Sequence, residues 1–133
     1  MTTMLRVVTL VPATVEALEA YVEGLVRLNQ WQFAAAEGGD VGVPALYESG
    51  VVYRRERGSE NWQSAAELIQ SGSGDCEDLA AYRAAELREF EDDWARVAII
   101  RTPRGSFHAV VEHEDGTIED PSAILVHSER KAS

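Results

Sequence analysis

Apolar residues return every three or four positions between Val15 and Leu28, and that rhythm predicts the first main helix. Val15, Leu18, Tyr21, Val22, Leu25 and Leu28 share one face, as in an amphipathic helix with one buried stripe. Thr14 stands ahead as an N-cap, Glu16 and Glu19 follow in the early turns, and Gly38-Gly39-Asp40 stops the helix beyond about Ala35. The stripe reads first as core and second as an oligomer interface. Before it, residues 5–11 are rich in Val, Leu and Thr and end at Pro12, which suits a short strand. After it, residues 41–60 are irregular, with breaks at Pro44, Gly50 and Gly58, and residues 50–54 form a short strand or extended segment.

The second half repeats the alternation of helix and strand. Asn61 or Ser64 begins a short helix through Trp62, Ala65, Leu68 and Ile69, and Ser71-Gly72-Ser73-Gly74 is a flexible connection. Residues 75–89 form a second main helix with Cys76, Leu79, Ala80, Arg83 and Leu87 near one face. The acidic patch at 89–93 is a solvated helix end or loop. Val97-Ala98-Ile99-Ile100 is a continuous apolar run, typical of a buried strand. Pro103-Arg104-Gly105 turns the chain, and residues 107–112 and 117–120 are the arms of a hairpin.

These elements predict an α+β fold in a single domain over residues 1–133. Residues 1–60 supply an N-terminal strand, helix and irregular segment, and residues 61–125 supply the core. At 133 residues a chain hides roughly 70% of its unfolded surface and needs no disulfide or metal to build a core. Twelve basic residues against 23 acidic ones give a net charge of −11. That balance repels phosphate backbones and excludes nucleic acid as a direct partner, while it suits neutral or basic polypeptides. No apolar stretch nears the ~20 residues that span a bilayer, and the N-terminus lacks the form of a signal peptide. A cytoplasmic, reducing location is the expectation, and it keeps a free thiol usable.

Cys76 is the only cysteine, so it cannot form an internal disulfide. It opens the second main helix, where unpaired N–H groups and the helix dipole favour a thiolate. His108 and Asp120 follow at the edges of later elements, giving a thiol nucleophile, a base and a group to orient that base. The hairpin decides whether the last two meet. A two-residue turn at Asp115-Gly116 sets Asp120 opposite Val111, on the other face from His108. A three-residue turn, Glu114-Asp115-Gly116 with Gly116 left-handed, sets Asp120 opposite Val110, where it shares a face with His108 as a diagonal neighbour. His113 and His127 are rival bases, the first of opposite strand parity and the second in a frayed tail. The Cys76 N–H is a natural oxyanion donor, and Gln63, Gln70 or Trp62 offers a second. The plain structural alternatives are a small buried cysteine, a half-buried strand histidine and an aspartate that opens a turn before Pro121. Trp31, Trp62 and Trp94 read as packing residues.

Gly74-Asp75-Cys76-Glu77-Asp78-Leu79-Ala80, His108-Ala109-Val110-Val111 and Ile118-Glu119-Asp120-Pro121 together resemble the transglutaminase-like cysteine peptidase superfamily, most of all its bacterial branch. The likeness covers residues 62–125, with the three blocks in the family's order. It implies a papain-like core and carries the roles of nucleophile, base and orienter to Cys76, His108 and Asp120. The implied activity is acyl transfer through a Cys76 thioester, with hydrolysis of a peptide or isopeptide amide favoured over crosslinking. The alternative is a vestigial binding or assembly module, phage- or prophage-encoded accessories included. No cofactor is required. Some members of the branch bind calcium beside the cysteine, which makes Asp75, Glu77 and Asp78 candidate ligands, although an EF-hand spacing is absent. The bland reading of the same three residues is a helix cap and its dipole partners. Substrate and oligomeric state stay open.

Overall fold

Ala80, Ala81, Ala84 and Ala85 are all fully buried in one helix, and their small side chains let other elements approach it from several sides. That helix, α3 (Cys76–Phe90), also buries Leu79, Tyr82 and Leu87. Its burial is therefore nearly all round, where the sequence predicts a single inward face. The computed structural model describes residues 5–6, 14–37, 43–55 and 61–132. The remaining elements are β1 (Leu5–Arg6), α1 (Val15–Glu37), β2 (Val52–Tyr53), β3 (Asn61–Trp62), α2 (Ala65–Ser71), β4 (Ser73–Gly74), β5 (Arg96–Arg101), β6 (Phe107–Glu112), β7 (Ile118–Glu119) and α4 (Pro121–Ala132). Residues 7–11 of the expected first strand, the Gly38-Gly39-Asp40 stop, the break at Gly58 and the side chain of His127 lie outside the described residues.

The chain is a mixed α+β protein, with four α-helices and small sheets among the described residues. β5, β6 and β7 form an antiparallel sheet in that order, and α1 and α3 pack on it. Val97 and Ile99 pair with Val111 and Ala109, and these four side chains face the helices within one apolar cluster. Ile100, one residue on, is 50% exposed. The continuous run at 97–100 is thus not buried on both faces, because helices cover mainly one side and the pleat sends alternate residues outward. No helix among the described residues is long and apolar enough to cross a membrane.

Helix α1 starts as its sequence predicts, with Thr14 Oγ1 accepting the Ala17 N–H at 3.0 Å. Its buried face is Leu18, Val22, Leu25, Val26, Asn29 and Phe33, whereas Tyr21 is about half exposed. Asn29 enters the apolar stripe because it has a task there. Its Oδ1 accepts the Ala65 N–H at 2.7 Å, and Gln32 Oε1 accepts the Ala66 N–H at 3.0 Å. Both satisfy otherwise orphaned donors in the first turn of α2.

Ser64, rather than Asn61, caps α2, through a reciprocal capping box with Glu67. Trp62 lies outside that helix, in β3, which pairs with β1. The connection at 71–74 is not loose. Gly72 closes α2 in the left-handed region at φ +83°, and Ser73–Gly74 pairs in parallel with Val52–Tyr53. Helix α4 replaces the expected frayed tail. Asp120, Pro121 and Ser122 form its start, and Leu125 is buried.

The β6–β7 hairpin has the three-residue turn. Val111 pairs with Glu119 and Glu112 with Ile118, and Gly116 is left-handed at φ +92°. A cluster of charges holds the hairpin to the helices. His113 donates from Nδ1 to Asp93 at 2.6 Å and from Nε2 to Glu119 at 2.8 Å, so its ring is the doubly protonated cation. Glu119 also accepts from Arg83 Nε at 2.7 Å and from the Tyr47 hydroxyl. The acidic patch at 89–93 is accordingly only partly a solvated end.

The Asp93 hydrogen bond, above all, raises the His113 pKa, against a smaller opposing effect of burial. Asp93 and Glu119 are held below the ordinary carboxylate range. The histidine's contribution to stability is full below its unfolded pKa near 6.5 and is lost as pH rises through the higher folded value. The carboxylates contribute above their unfolded values and lose that contribution in acid. Denaturant unfolding from pH 5 to 9 should show stability declining on the alkaline side of about pH 6.5, and His113→Gln should flatten that decline.

Candidate active site

Each residue of Gly74-Asp75-Cys76-Glu77-Asp78 has a physical assignment at the start of α3. An ideal Cβ on Gly74 would stand 2.5 Å from Leu68 Cδ1 and 3.0 Å from Asp78 Cβ, so the close packing of β4 against α2 and α3 requires glycine. Asp75 is the N-cap, with Asp78 returning in a capping box. Asp78 is buried. Its Oδ1 accepts the Gln63 N–H at 2.8 Å and its Oδ2 accepts the Asp75 N–H at 3.1 Å. One carboxylate thereby joins the segment before α2 to the start of α3, and this junction sets where Cys76 stands.

Cys76 is 6% exposed. Its thiol donates to Glu77 Oε2 at 3.4 Å, and the backbone N–H of Ala109 favours its thiolate form. The place of that N–H follows from the sheet. Thr102 and Ser106 bond across β5 and β6, while His113 and Thr117 bond across β6 and β7. With alternation along the ladder, the N–H of Ala109 points to the β7 side. Strand β7 ends at Glu119 and Pro121 turns the chain into α4, so no strand residue claims that N–H.

His108 Nε2 and Asp120 Oδ2 lie 2.9 Å apart, in the diagonal relation that the three-residue turn creates. An ionised carboxylate only accepts, so His108 donates from Nε2, and Nδ1 is the ring nitrogen left to take a proton. Asp120 is held on its other side. Oδ1 accepts the Ser122 hydroxyl at 2.8 Å and the Ala123 N–H at 3.4 Å. Partial burial pushes the Asp120 pKa up, but the bonds from His108 and Ser122 outweigh it and hold the group below the usual aspartate range.

The thiol departs from its sequence expectation. The helix start predicts easy ionisation, yet burial first and Glu77 second push the Cys76 pKa strongly up, and the Ala109 N–H opposes them only in part. Loss of hydration outweighs the helix dipole here. The thiol's hydrogen bond goes to Glu77, not to the His108 ring. Cys76 is therefore a neutral thiol in this state, beside rather than paired with a histidine–aspartate couple.

The other candidates separate clearly. The Cys76 N–H donates to Asp75 Oδ1 at 2.7 Å. The Gln63 amide is engaged with Ser73 and Ser71, which makes it a brace of the 71–74 segment. Gln70 is exposed. Trp62 is buried, and its indole N–H has no acceptor among the described residues. His113 serves the charge cluster and is not available as a base. Among the described residues, only Asp75, Cys76 and Glu77 bring ligand atoms within 4.8 Å of one another. Asp78 spends both oxygens on backbone N–H groups, and Asp75 caps the helix. A thiol with these carboxylates does not fit calcium, which takes six to eight oxygen ligands. Sequence reasoning missed Ser122 and the Ala109 N–H. The Asp-Pro-Ser start of a helix was the available signal for the first, and the second arises only from where β7 stops.

No family model, characterised protein or solved structure was found to match the chain. Geometry and chemistry alone therefore carry the functional reading. The tight junction at Gly74 makes a direct test. Gly74→Ala should lower stability by about 1–3 kcal/mol, the usual cost of overpacking. Urea unfolding should show this as a lower midpoint at unchanged slope.

Proposed function

We propose that the protein is a cysteine-dependent acyl-transfer enzyme with a papain- or transglutaminase-like core, acting on amide bonds of polypeptides. The observation that carries the reading is the His108–Asp120 pair at 2.9 Å, its histidine on the strand against which the helix opened by Cys76 packs. Placement of a thiol at a helix start, against a strand that bears a carboxylate-oriented imidazole, supports it.

The resting thiol keeps its proton. In the proposed reaction His108 Nδ1 takes that proton as the sulfur attacks the substrate carbonyl, and Asp120 stabilises the imidazolium. The carbon–sulfur bond forms while the carbonyl π pair moves to oxygen. The Cys76 N–H is the donor assigned to this oxyanion, exchanging Asp75 for it. Collapse expels the amine, which takes the proton from His108 and leaves a thioester. Water, deprotonated by His108, then releases the acid. A hydrolytic second step is the simpler assignment, since no feature of the site reports a protected amine pocket.

One observation favours a second reading, a binding or assembly module that has kept the arrangement without turnover. The thiol is buried and faces Glu77, an anion that opposes thiolate formation.

A thiol-reactive probe separates the two. Labelling of Cys76 at neutral pH should fall by about 100-fold in His108→Ala, the usual range for loss of a general base, and substantially in Asp120→Ala. Cys76→Ala gives the background. Slow labelling that climbs only in alkali and ignores both substitutions would establish the binding module instead.

A further inference from the structure

Ser122 lies in the first turn of α4 with only 4% of its surface exposed, and among the described residues its hydroxyl donates to Asp120 Oδ1 at 2.8 Å. Asp120 has two oxygens and two different tasks. Oδ2 meets the His108 ring, and Oδ1 receives Ser122 together with the weaker 3.4 Å Ala123 N–H. Carboxylate χ2 wells are broad and roughly two-fold, so a contact to one oxygen alone leaves rotation cheap. A second, buried donor on the other oxygen removes that freedom.

The surroundings make the second donor necessary. Strand β7 has only two residues, and Asp120 lies beyond its last ladder pair, Val111 with Glu119. The backbone there is no longer held by the sheet. Glu119, pointing to the opposite face, is fixed by Arg83, Tyr47 and His113. That cluster anchors the strand end but does not touch the Asp120 carboxylate. On the face of His108, the orientation of Asp120 depends on α4.

We propose that Ser122 is the positioning residue of the His108–Asp120 couple, holding the carboxylate so that the imidazole proton stays on Nε2 and Nδ1 stays free to accept. This deepens the acyl-transfer reading and, for its effect on rate, rests on it. The assignment concerns Ser122 acting through Asp120 and His108, and gives it no contact with substrate. It also gives the start of α4 a role beyond packing: the helix that follows the orienting aspartate supplies the clamp.

The test uses the full chain and two readouts. Side-chain ¹⁵N shifts of His108 report the tautomer, and the pH profile of Cys76 alkylation reports the thiol. In Ser122→Ala the His108 ring should become a mixture of Nε2–H and Nδ1–H forms, and neutral-pH alkylation should slow by about tenfold, as for the loss of one hydrogen bond to a charged group. Ser122→Thr keeps the hydroxyl and should restore both. In an Asp120→Ala background the Ser122→Ala change should have no further effect on either readout. Unchanged ¹⁵N shifts in a folded Ser122→Ala protein, or an equal effect with Asp120 absent, would overturn the proposal. If the tautomer responds but alkylation ignores His108 altogether, Ser122 keeps its positioning role and the acyl-transfer reading fails.

Discussion

The buried carboxylate of Asp78 joins two parts of the chain that would otherwise have no common reference. It accepts from the backbone of Gln63 and of Asp75, so the entry to α2 and the start of α3 are fixed relative to one another. Between them run α2, its glycine cap and the short strand β4. Asp78 belongs to the helix that carries Cys76, and everything it fixes is therefore fixed relative to the thiol. A buried carboxylate left without such donors is costly, and here two backbone N–H groups satisfy it. The glycine at 74 is the steric counterpart of the same junction, since any side chain there would meet Asp78 and Leu68.

The second constraint is the hairpin register, which the sequence narrowed to two turns. Gly116 suits the left-handed position of the three-residue turn and equally a two-residue turn at Asp115-Gly116, and the three-residue turn that forms sets Asp120 opposite Val110. The start of α3 was legible: aspartate at the cap and at the third helical position is a local pattern with a local cause. The elements that could not be read depend on distant partners. β2 and β4 are two residues each and have no periodicity to detect. Asn29 looks like a break in an apolar stripe until α2 is seen to need a cap. Tyr21 fits the spacing of the stripe, but it lies at the edge of the buried face and is about half exposed. Helix α4 carried a cap signal in Asp120-Pro121-Ser122, diluted by the charged and polar residues that follow.

The state of the thiol belongs to the same class. A helix dipole acts within one turn and can be read from sequence, whereas desolvation depends on what the whole chain lays over the site. The two effects compete at Cys76, and the tertiary one wins. A motif can thus place a thiol at a helix start and still misstate its charge.

Two carboxylates then act on the candidate couple in opposite directions. Glu77 accepts from the thiol and its charge disfavours a thiolate beside it. Asp120 accepts from His108 and favours an imidazolium. Moving the proton from sulfur to Nδ1 would place a negative charge next to Glu77 and a positive one next to Asp120, so the first carboxylate opposes the step and the second assists it. On the proposed reading, the balance is altered most directly at Glu77. Its carboxylate meets the thiol at 3.4 Å, a contact to sulfur, which is a weak donor. A substrate that draws Glu77 away removes the opposing charge while leaving Asp120 clamped by Ser122 and Ala123. Ionisation of the thiol would then be coupled to occupancy of the site, which keeps a buried cysteine neutral until there is a carbonyl for it to attack.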